Sequence, residues 1–223
     1  MLTLGIDDAG RGPVIGPMVL AGCLLDEKAE QELKKLGVKD SKQLTQKRRE
    51  FLVEKIKEKA EVFEVVLVYP DEIDGKNHDG INLNDLEAIK TAEIINKINK
   101  GFAKIKVIVD CPSPSIEKWR DFLKTKIDNL SNLDVICEHK ADVNHVSVSA
   151  ASVLAKIVRE KEMTMLKEKY GTEIGSGYCS DKKTYKFLEE HSTKYKEAGL
   201  FRKTWSTWRD VCRKAEQKKL KDF

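Results

Sequence analysis

Five apolar stretches of the chain have the length and the residue pattern of β-strands. They are short, rich in valine, isoleucine and leucine, and bounded by glycine, proline or aspartate. They cover residues 2–6, 14–25, 61–70, 104–110 and 133–139. Strands in succession favour antiparallel pairing, and the later strands, which alternate with helices, favour parallel pairing. The pattern therefore predicts an α/β fold built on a mixed five-stranded sheet that is flanked by helices.

Apolar residues between these strands recur at helical spacing. Thr45 is placed to cap a helix whose apolar side includes Phe51, Leu52, Ile56 and Ala60, and Asn82 is placed to cap a second helix that ends near Gly101. A long helix with a small-residue face is predicted from Val146, and the last fifty residues are lysine-rich and helical in pattern. A small-residue face predicts close packing of the long helix.

Composition narrows the class of protein only a little. The chain has 223 residues, a net charge of +4 and five scattered cysteines without a C-x-x-C pair. The mild positive charge is compatible with a nucleic-acid partner and equally with a solubilising surface. Reduced thiols and the lack of a signal peptide or a membrane-length apolar run predict a cytoplasmic protein with no membrane partner.

Three carboxylates each follow an apolar strand. Asp7 follows the first strand, Asp110 ends the fourth, and Asp142 follows the fifth. If these strands are parallel neighbours, the three acids lie at one carboxyl edge of the sheet, where open α/β sheets bind ligands. Aspartate is also a common turn and N-cap residue, so a structural role stays open for any one of them. Three apolar strands that each lead into an aspartate are less probable by chance than one.

Clustered carboxylates without cysteine or histidine ligands suit a hard cation, Mg²⁺ or Mn²⁺. Two such ions can support an in-line displacement at a phosphodiester. The Gly10-Arg11-Gly12 loop fits a phosphate or ribose partner because its backbone can approach closely, although a tight turn between strands explains it equally well. Asp7 and Asp8 are adjacent on an extended segment, so a shared metal site requires a bend, which Ala9-Gly10 permits.

Five ordered motifs resemble the signature blocks of ribonuclease HII in its archaeal form. They are "GIDDAGRGPVIGPMVLAG", "KDSKQL", "VIVDCPS", "EHKADVNHVSVSAASVLAKIVRE" and "GSGYCSD", and they follow one another over nearly the whole chain. The resemblance implies a ribonuclease H-like catalytic domain over residues 1–170 and a C-terminal helical extension over 171–223, packed on it. It also implies a monomer that hydrolyses the RNA strand of RNA–DNA hybrids and cuts duplex DNA at embedded ribonucleotides. The cuts would leave 5′-phosphate and 3′-hydroxyl ends by two-metal-ion catalysis.

The resemblance also assigns roles to individual residues. It implies four catalytic, metal-binding acids, which are Asp7, Asp8, Asp110 and Asp142. Its substrate contacts are a loop that reads the ribose 2′-hydroxyl, a phosphate-contacting pair, a helix face beside the site and a tyrosine that reads the RNA–DNA junction. These are Gly10, Arg11, Gly12, Ser41, Lys42, Ser149, Ser152, Lys156 and Tyr178.

Two positions depart from the family pattern. Asp8 stands where the family usually has Glu, and Cys179 stands where a proline usually follows the tyrosine. A non-catalytic hybrid-binding relative, altered at Asp8, is therefore the main alternative to an enzyme. An actin-like ATPase or sugar kinase needs a second lobe for which 223 residues leave no room, and no P-loop sequence occurs.

The histidine and tryptophan residues to which the resemblance assigns no role are expected to have structural roles. His139 and His145 flank Asp142 but lack metal-ligand spacing. Trp205 and Trp208, in the motif "FRKTWSTW", are expected to pack in the helical tail, with stacking on bases as the alternative.

Overall fold

The strands of the protein form one mixed sheet. The computed structural model describes residues 1–38 and 45–221. In these residues the sheet has the order β3-β2-β1-β4-β5. The strands are β1 (Leu2–Ala9), β2 (Met18–Leu25), β3 (Val62–Val68), β4 (Ile105–Asp110) and β5 (Leu133–Glu138). β1 pairs antiparallel with β2 and parallel with β4, which pairs parallel with β5, so the predicted mixed sheet is confirmed.

Helices occupy most of the chain between and after the strands. They are α1 (Glu27–Lys35), α2 (Gln46–Lys59), α3 (Pro70–His78), α4 (Leu83–Ile98), α5 (Ile116–Lys124), α6 (Ala141–Asn144), α7 (Val146–Tyr170), α8 (Lys182–His191) and α9 (Ser206–Lys221). A short 3-10 helix covers Thr172–Ile174. Over the described part of the chain, none of these helices is both long and apolar enough to cross a membrane.

Two predicted helix caps are confirmed. The hydroxyl of Thr45 accepts a hydrogen bond from Arg48 N at the start of α2, and the side chain of Asn82 accepts one from Asp85 N at the start of α4. The predicted apolar face of α2 is wrong at one position, because Phe51 is 44% exposed. Leu52, Val53 and Ile56 form the buried side of α2 instead. α1 and α3 were not predicted, and α3 begins at Pro70.

The chain divides into two compact units. The first consists of Met1–Ala9, Val19–Leu67 and Asn82–Val158. Its core includes one face of β2, whose residues are all buried, and the small side chains of α7. A Cβ at Gly5 would overlap the backbone of Ser147 and Val148, so α7 packs directly on β1. The predicted small-residue helix therefore brings its face close to the sheet.

The second unit consists of Gly10–Met18, Val68–Ile81 and Arg159–Phe223. Its core is rich in aromatic rings, and Phe201 and Trp208 lie 4.6 Å apart between centroids. The packing role predicted for Trp208 is therefore confirmed. The domain boundary predicted after residue 170 stays a prediction.

Candidate active site

Two of the predicted acids lie at equivalent positions near the ends of adjacent parallel strands. Asp7 lies near the end of β1 and Asp110 is the last residue of β4. The register pairs Ile6 with Val109, one residue before each acid. Parallel pairing of β1 with β4 therefore places the two carboxylates at one edge of the sheet, as the strand pattern predicted.

The third strand-end acid, Asp142, lies buried in α6, just beyond β5. Ala141 N donates a hydrogen bond of 3.0 Å to Asp110 Oδ1, which ties the start of α6 to the end of β4. Lys140 has a φ of 59°, a left-handed conformation that lets the chain turn from β5 into α6. Such a conformation is costly for a side chain other than glycine, so the turn is held by its surroundings.

Contacts of the two flanking histidines fix the segment that carries Asp142. His139 Nδ1 lies 2.9 Å from the carbonyl oxygen of Cys111. His145 Nε2 lies 2.8 Å from Glu138 Oε1, so the histidine after α6 is joined to the last residue of β5. Both histidines therefore have the structural contacts that were expected for them.

The carboxylate of Asp7 is in an electrostatically unfavourable position. Its residue is only 7% exposed. Burial raises the pKa of Asp7 well above its usual range, and the charge of neighbouring Asp8 raises it further. A hydrogen bond with Ser152 of α7 opposes this rise in the pKa of Asp7, and the charge of Asp110 adds to it. Asp8 N also donates to Asp7 Oδ1 at 2.8 Å. Negative charge therefore accumulates around Asp7, and a bound cation would compensate it.

The donors at this edge are all carboxylate oxygens, the ligands that Mg²⁺ and Mn²⁺ prefer. In residues 1–38 and 45–221, however, no three His, Cys, Asp or Glu side chains are already arranged to hold a metal ion. The chemistry of the donors and the repulsion at Asp7 fit a divalent cation, while the side chains would have to adjust to coordinate it.

The sequence predicted a bend of the chain near Asp7 and Asp8, but the chain bends only at Gly10. β1 stays paired with β2 through Asp8 and Ala9, and the backbone turns at Gly10, whose φ is 78°. Neighbouring side chains of a regular strand point to opposite faces. Asp8 directly follows Asp7 on a strand that does not bend between them. To share a metal ion with Asp7, the side chain of Asp8 would have to reach around the strand.

The glycine loop lies beside the predicted junction-reading tyrosine. A Cβ at Gly10 would lie 2.5 Å from Arg159 Nε, so this position requires glycine for its φ and for its packing. A Cβ at Gly12 would meet only the ring of Tyr178, at 3.9 Å. The Tyr178 ring is 45% exposed, and Arg159 Cζ lies 5.9 Å from its centroid.

The predicted residues therefore form two groups in the structure. Asp7 interacts with Asp8, Asp110 and Ser152 of α7. Asp142 follows Ala141, whose N–H binds Asp110. The Gly10–Gly12 loop lies beside Tyr178. Ser149 is buried in α7 and Lys156 is half-buried there. Ser41 and Lys42 lie outside the described residues.

One residue beside this loop was missed by the sequence analysis. Arg159 is buried, and its Nη1 donates to the carbonyl oxygen of Pro17 at 2.6 Å. Its side chain packs against Gly10 and lies near Tyr178, so it contacts the loop on the side of Gly10. The available signal was a second basic residue, three positions after Lys156, in the stretch "SAASVLAKIVRE".

The sheet order and the carboxylates at the ends of neighbouring parallel strands are those of the ribonuclease H-like class of fold. Comparisons with known proteins specify the family within this class. The family model described as Ribonuclease HII matches residues 4–208. The Ribonuclease HII of Methanocaldococcus jannaschii is 40% identical, with 99% of each chain covered. The chain therefore belongs to the ribonuclease HII family.

Solved structures agree with this assignment. The ribonuclease H2 of Pyrococcus horikoshii OT3 has a TM-score of 0.84 and 40% identity, with 95% of this chain and 97% of that chain covered. An RNase HII of Archaeoglobus fulgidus, solved in complex with PCNA, has a TM-score of 0.80 and 38% identity, with coverages of 92% and 96%. The ribonuclease H-like fold is thereby confirmed.

Membership of the family decides between the two functions that the sequence left open. The chain is an endoribonuclease of the ribonuclease H type, which cuts the RNA strand of RNA–DNA hybrids. Dependence on a divalent metal is general for this family. The non-catalytic hybrid-binding alternative is therefore not retained.

Proposed function

We propose that this ribonuclease also cuts duplex DNA at single embedded ribonucleotides and leaves 5′-phosphate and 3′-hydroxyl ends. In this proposal Mg²⁺ or Mn²⁺ ions are held by Asp7, Asp8, Asp110 and Asp142. The observation that carries the proposal is the buried carboxylate of Asp7, whose pKa is raised by its burial and by the charges of Asp8 and Asp110. Carboxylates with pKa values perturbed by burial and by like charges cluster at functional sites.

Two bound ions would supply an activated water and stabilise the leaving oxygen of an in-line displacement. The chain's own residues orient the oxygen ligands. Asp7 is held by Asp8 N and by Ser152, and Asp110 is held by Ala141 N. Burial of Asp7 and Asp142 keeps bulk water away from two of the carboxylates.

Substrate reading is proposed for the loop and the tyrosine. The backbone of Gly10, Arg11 and Gly12 would hydrogen-bond the ribose 2′-hydroxyl, which can both donate and accept. The half-exposed ring of Tyr178 would stack at the RNA–DNA junction. The proximity of this ring to Gly12 supports a shared role.

Contacts to the backbone of the nucleic acid complete the proposal. Lys156 of α7 would contact phosphate, as would Ser41 and Lys42, and Ser149 would lie beside the bound strand. A net charge of +4 supports binding of a polyanion in general terms. Phosphate contacts of this kind add affinity without reading sequence.

The experiment is single-turnover cleavage of three labelled duplexes with Mg²⁺ and, separately, with Mn²⁺. The duplexes are a long RNA–DNA hybrid, a DNA duplex with one ribonucleotide, and the same duplex entirely of DNA. We expect cleavage of the first two and none of the third, and the product ends are identified by kinase labelling and ligation. Cleavage of the long hybrid alone would refute the proposed junction activity, and 3′-phosphate products would refute the proposed chemistry.

The assembly state is also a proposal. We propose that the chain is a monomer of 25.3 kDa in isolation and that it binds PCNA, as the Archaeoglobus relative does. Light scattering after size exclusion, with the chain alone and with PCNA of the same organism, tests both. A dimer mass for the free chain, or separate elution of the two proteins, would contradict the respective statement.

A further inference from the structure

A buried arginine contacts the carbonyl groups of the glycine loop. Arg202 lies between α8 and α9 and is 0% exposed. Its Nη2 donates to the carbonyl oxygen of Gly10 at 2.6 Å, and its Nη1 donates to that of Arg11 at 2.6 Å. Nε and Nη2 donate to the carbonyl oxygen of Gly16 at 3.2 and 3.0 Å. One guanidinium therefore holds both ends of this turn.

Trp205 binds the remaining carbonyl of the loop. Its indole Nε1 donates to the carbonyl oxygen of Gly12 at 3.0 Å, and its ring lies 5.0 Å from Arg202 Cζ. The carbonyls of residues 10, 11 and 12 thus all accept hydrogen bonds from one short segment of the chain. Arg202 and Trp205 of the motif "FRKTWSTW" supply both donors, a role that the sequence analysis did not predict for either residue.

These contacts determine where the N–H groups of the loop point. In a trans peptide the C=O of one residue and the N–H of the next point in opposite directions. Among the described residues no peptide bond is cis. When the carbonyls of Gly10 and Arg11 face Arg202, the N–H groups of Arg11 and Gly12 must face away from it. Pro13 follows and has no N–H, so these two donors are the ones that the arrangement presents.

A guanidinium suits this role better than an ammonium. Its five N–H donors form a rigid, planar fork that can bind several acceptors at fixed directions, whereas a lysine is a flexible point donor. A buried charge is costly unless polar groups surround it. The carbonyls of the loop are such groups, so the loop conformation and the burial of Arg202 stabilise each other.

The segment that carries Arg202 is itself fixed by a buried carboxylate. Asp74 of α3 accepts hydrogen bonds from Lys203 N at 2.6 Å and from Thr204 N at 3.0 Å. The hydroxyl of Thr204 donates to the same carboxylate at 2.6 Å. Asp74 therefore holds the two residues between Arg202 and Trp205, and the two donors have a fixed spacing.

We propose that Arg202, assisted by Trp205, is a positioning residue for ribose recognition. It fixes the Gly10–Gly12 loop so that the N–H groups of Arg11 and Gly12 are presented to the 2′-hydroxyl before substrate binds. This inference rests on the proposed function of the loop. It adds the chemical reason why the loop is preorganised.

The experiment measures discrimination between ribose and deoxyribose by binding rather than by cleavage. All proteins carry Asp110→Asn, which prevents cutting, and fluorescence anisotropy gives Kd for a duplex with one ribonucleotide and for its all-DNA counterpart. Arg202→Lys keeps the charge but loses the fork, and Trp205→Phe keeps the ring but loses the N–H. Lys203→Gln is the matched control, because its side chain donates to the exposed carboxylate of Glu197 at 3.0 Å.

We expect Arg202→Lys to reduce the ratio of the two Kd values about fivefold or more, in line with the loss of one hydrogen bond to substrate. Trp205→Phe should reduce the ratio about twofold, and Lys203→Gln should leave it unchanged. In the cleaving protein, Arg202→Lys should slow cutting at a single ribonucleotide on the order of 100-fold even at saturating enzyme.

The outcomes separate the inference from the function on which it rests. If the parent itself does not distinguish the two duplexes, the proposed ribose reading by the loop is wrong. If the parent distinguishes them and both folded variants keep its ratio, the positioning role is wrong. Circular dichroism and Tm report folding, and if Arg202→Lys does not fold, Trp205→Phe decides alone. A ratio unchanged in Trp205→Phe would then overturn the inference.

Discussion

The carboxylates and the glycine loop are held in place by different kinds of structure. Asp7 and Asp110 are ends of hydrogen-bonded parallel strands, so the ladder of the sheet sets their positions. The Gly10–Gly12 loop has no ladder of its own. It is held by the side chains of Arg159 and Arg202, which are far away in sequence.

This difference predicts how each region responds to mutation. A carboxylate at a strand end can be replaced by an isosteric amide without disturbing the backbone that carries it. The loop has little backbone support, so a change in one contact alters its conformation. Substitutions of the acids should therefore affect chemistry with the fold preserved, while substitutions in the loop should affect both.

The largest effect is expected at the carboxylates. Asp110→Asn or Asp142→Asn should each lower single-turnover cleavage by orders of magnitude, because each removes an oxygen ligand and its charge. Thermal unfolding should show an intact fold. Asp134→Asn, at the opposite end of β5, is the control and should cleave normally. Near-normal turnover of Asp142→Asn at low Mg²⁺ would contradict the proposed metal site.

Substitution in the Gly10–Gly12 loop should lower cleavage less than loss of a carboxylate does, and it should also lower the stability of the fold. In Gly10→Ala the new Cβ would meet Arg159 at a φ of 78°, so the loop must shift. We expect cleavage at a single ribonucleotide to fall on the order of 100-fold and the free energy of unfolding to fall by about 1–3 kcal/mol. Gly12→Ala is the matched control for stability, since its Cβ makes an ordinary contact. Equal losses in the free energy of unfolding at both glycines would show that strain at Gly10 is not the cause.

The same difference explains how much could be predicted from the sequence. Regular elements leave local signals, so the mixed five-stranded sheet and the caps Thr45 and Asn82 were predicted correctly. The condition that β1, β4 and β5 are parallel neighbours is met in the structure. Asp7 and Asp110 were placed at one edge for the same reason. Phe51 was wrongly assigned to the buried side of α2, because helical spacing alone does not show which part of a broad apolar side packs against the rest of the protein.

Contacts between distant segments leave no local signal. Arg202 is separated from Gly10 by almost the whole chain, and nothing in its neighbours indicates that its guanidinium is buried against backbone carbonyls. The turn at Gly10 rather than at the doubled acid depends on the pairing of β1 with β2, which fixes Asp8 and Ala9 in the ladder. Only the folded structure specifies such pairings.

A smaller effect is expected at the tyrosine, which tests whether the loop region reads the junction. Tyr178→Ala should weaken cleavage at a single ribonucleotide more than cleavage of a long hybrid. Loss of one stacking contact is worth about 1–3 kcal/mol. Tyr178→Phe keeps the ring and should stay close to the parent on both substrates. If Tyr178→Ala lowers the cleavage rate of both substrates by the same factor, the ring has no role specific to the junction.

A change of a few fold is expected at Asp8, where the resemblance of the sequence implied Glu. Asp is one methylene shorter than Glu, and β1 does not bend to shorten the reach. Asp8→Glu should therefore raise kcat at limiting Mg²⁺, with a smaller gain at saturating metal. A Mg²⁺ titration of single-turnover rates measures this. A variant slower than the parent at every Mg²⁺ concentration would show that the site is adapted to Asp8.

The smallest effect is a shift in thermal stability without metal. Burial and the charges of Asp8 and Asp110 raise the pKa of Asp7 in the folded protein above its unfolded value of about 3.9. A folded state that binds the extra proton is stabilised at low pH, and this contribution is lost as pH rises through the raised pKa of Asp7. In EDTA, Asp7→Asn should therefore have a higher Tm than the parent at pH 7, and the difference should shrink as the pH falls toward 4.

Mg²⁺ should reverse this order, since an ion that binds only the folded protein raises the Tm of the parent more than that of a variant lacking a ligand. Asp134→Asn, which removes an exposed carboxylate, serves as the control in both conditions. If Asp7→Asn were less stable than the parent at pH 7 in EDTA, the carboxylate would be favourably placed without a cation. The electrostatic argument for a metal at the sheet edge would then fail, while the strand positions would stand.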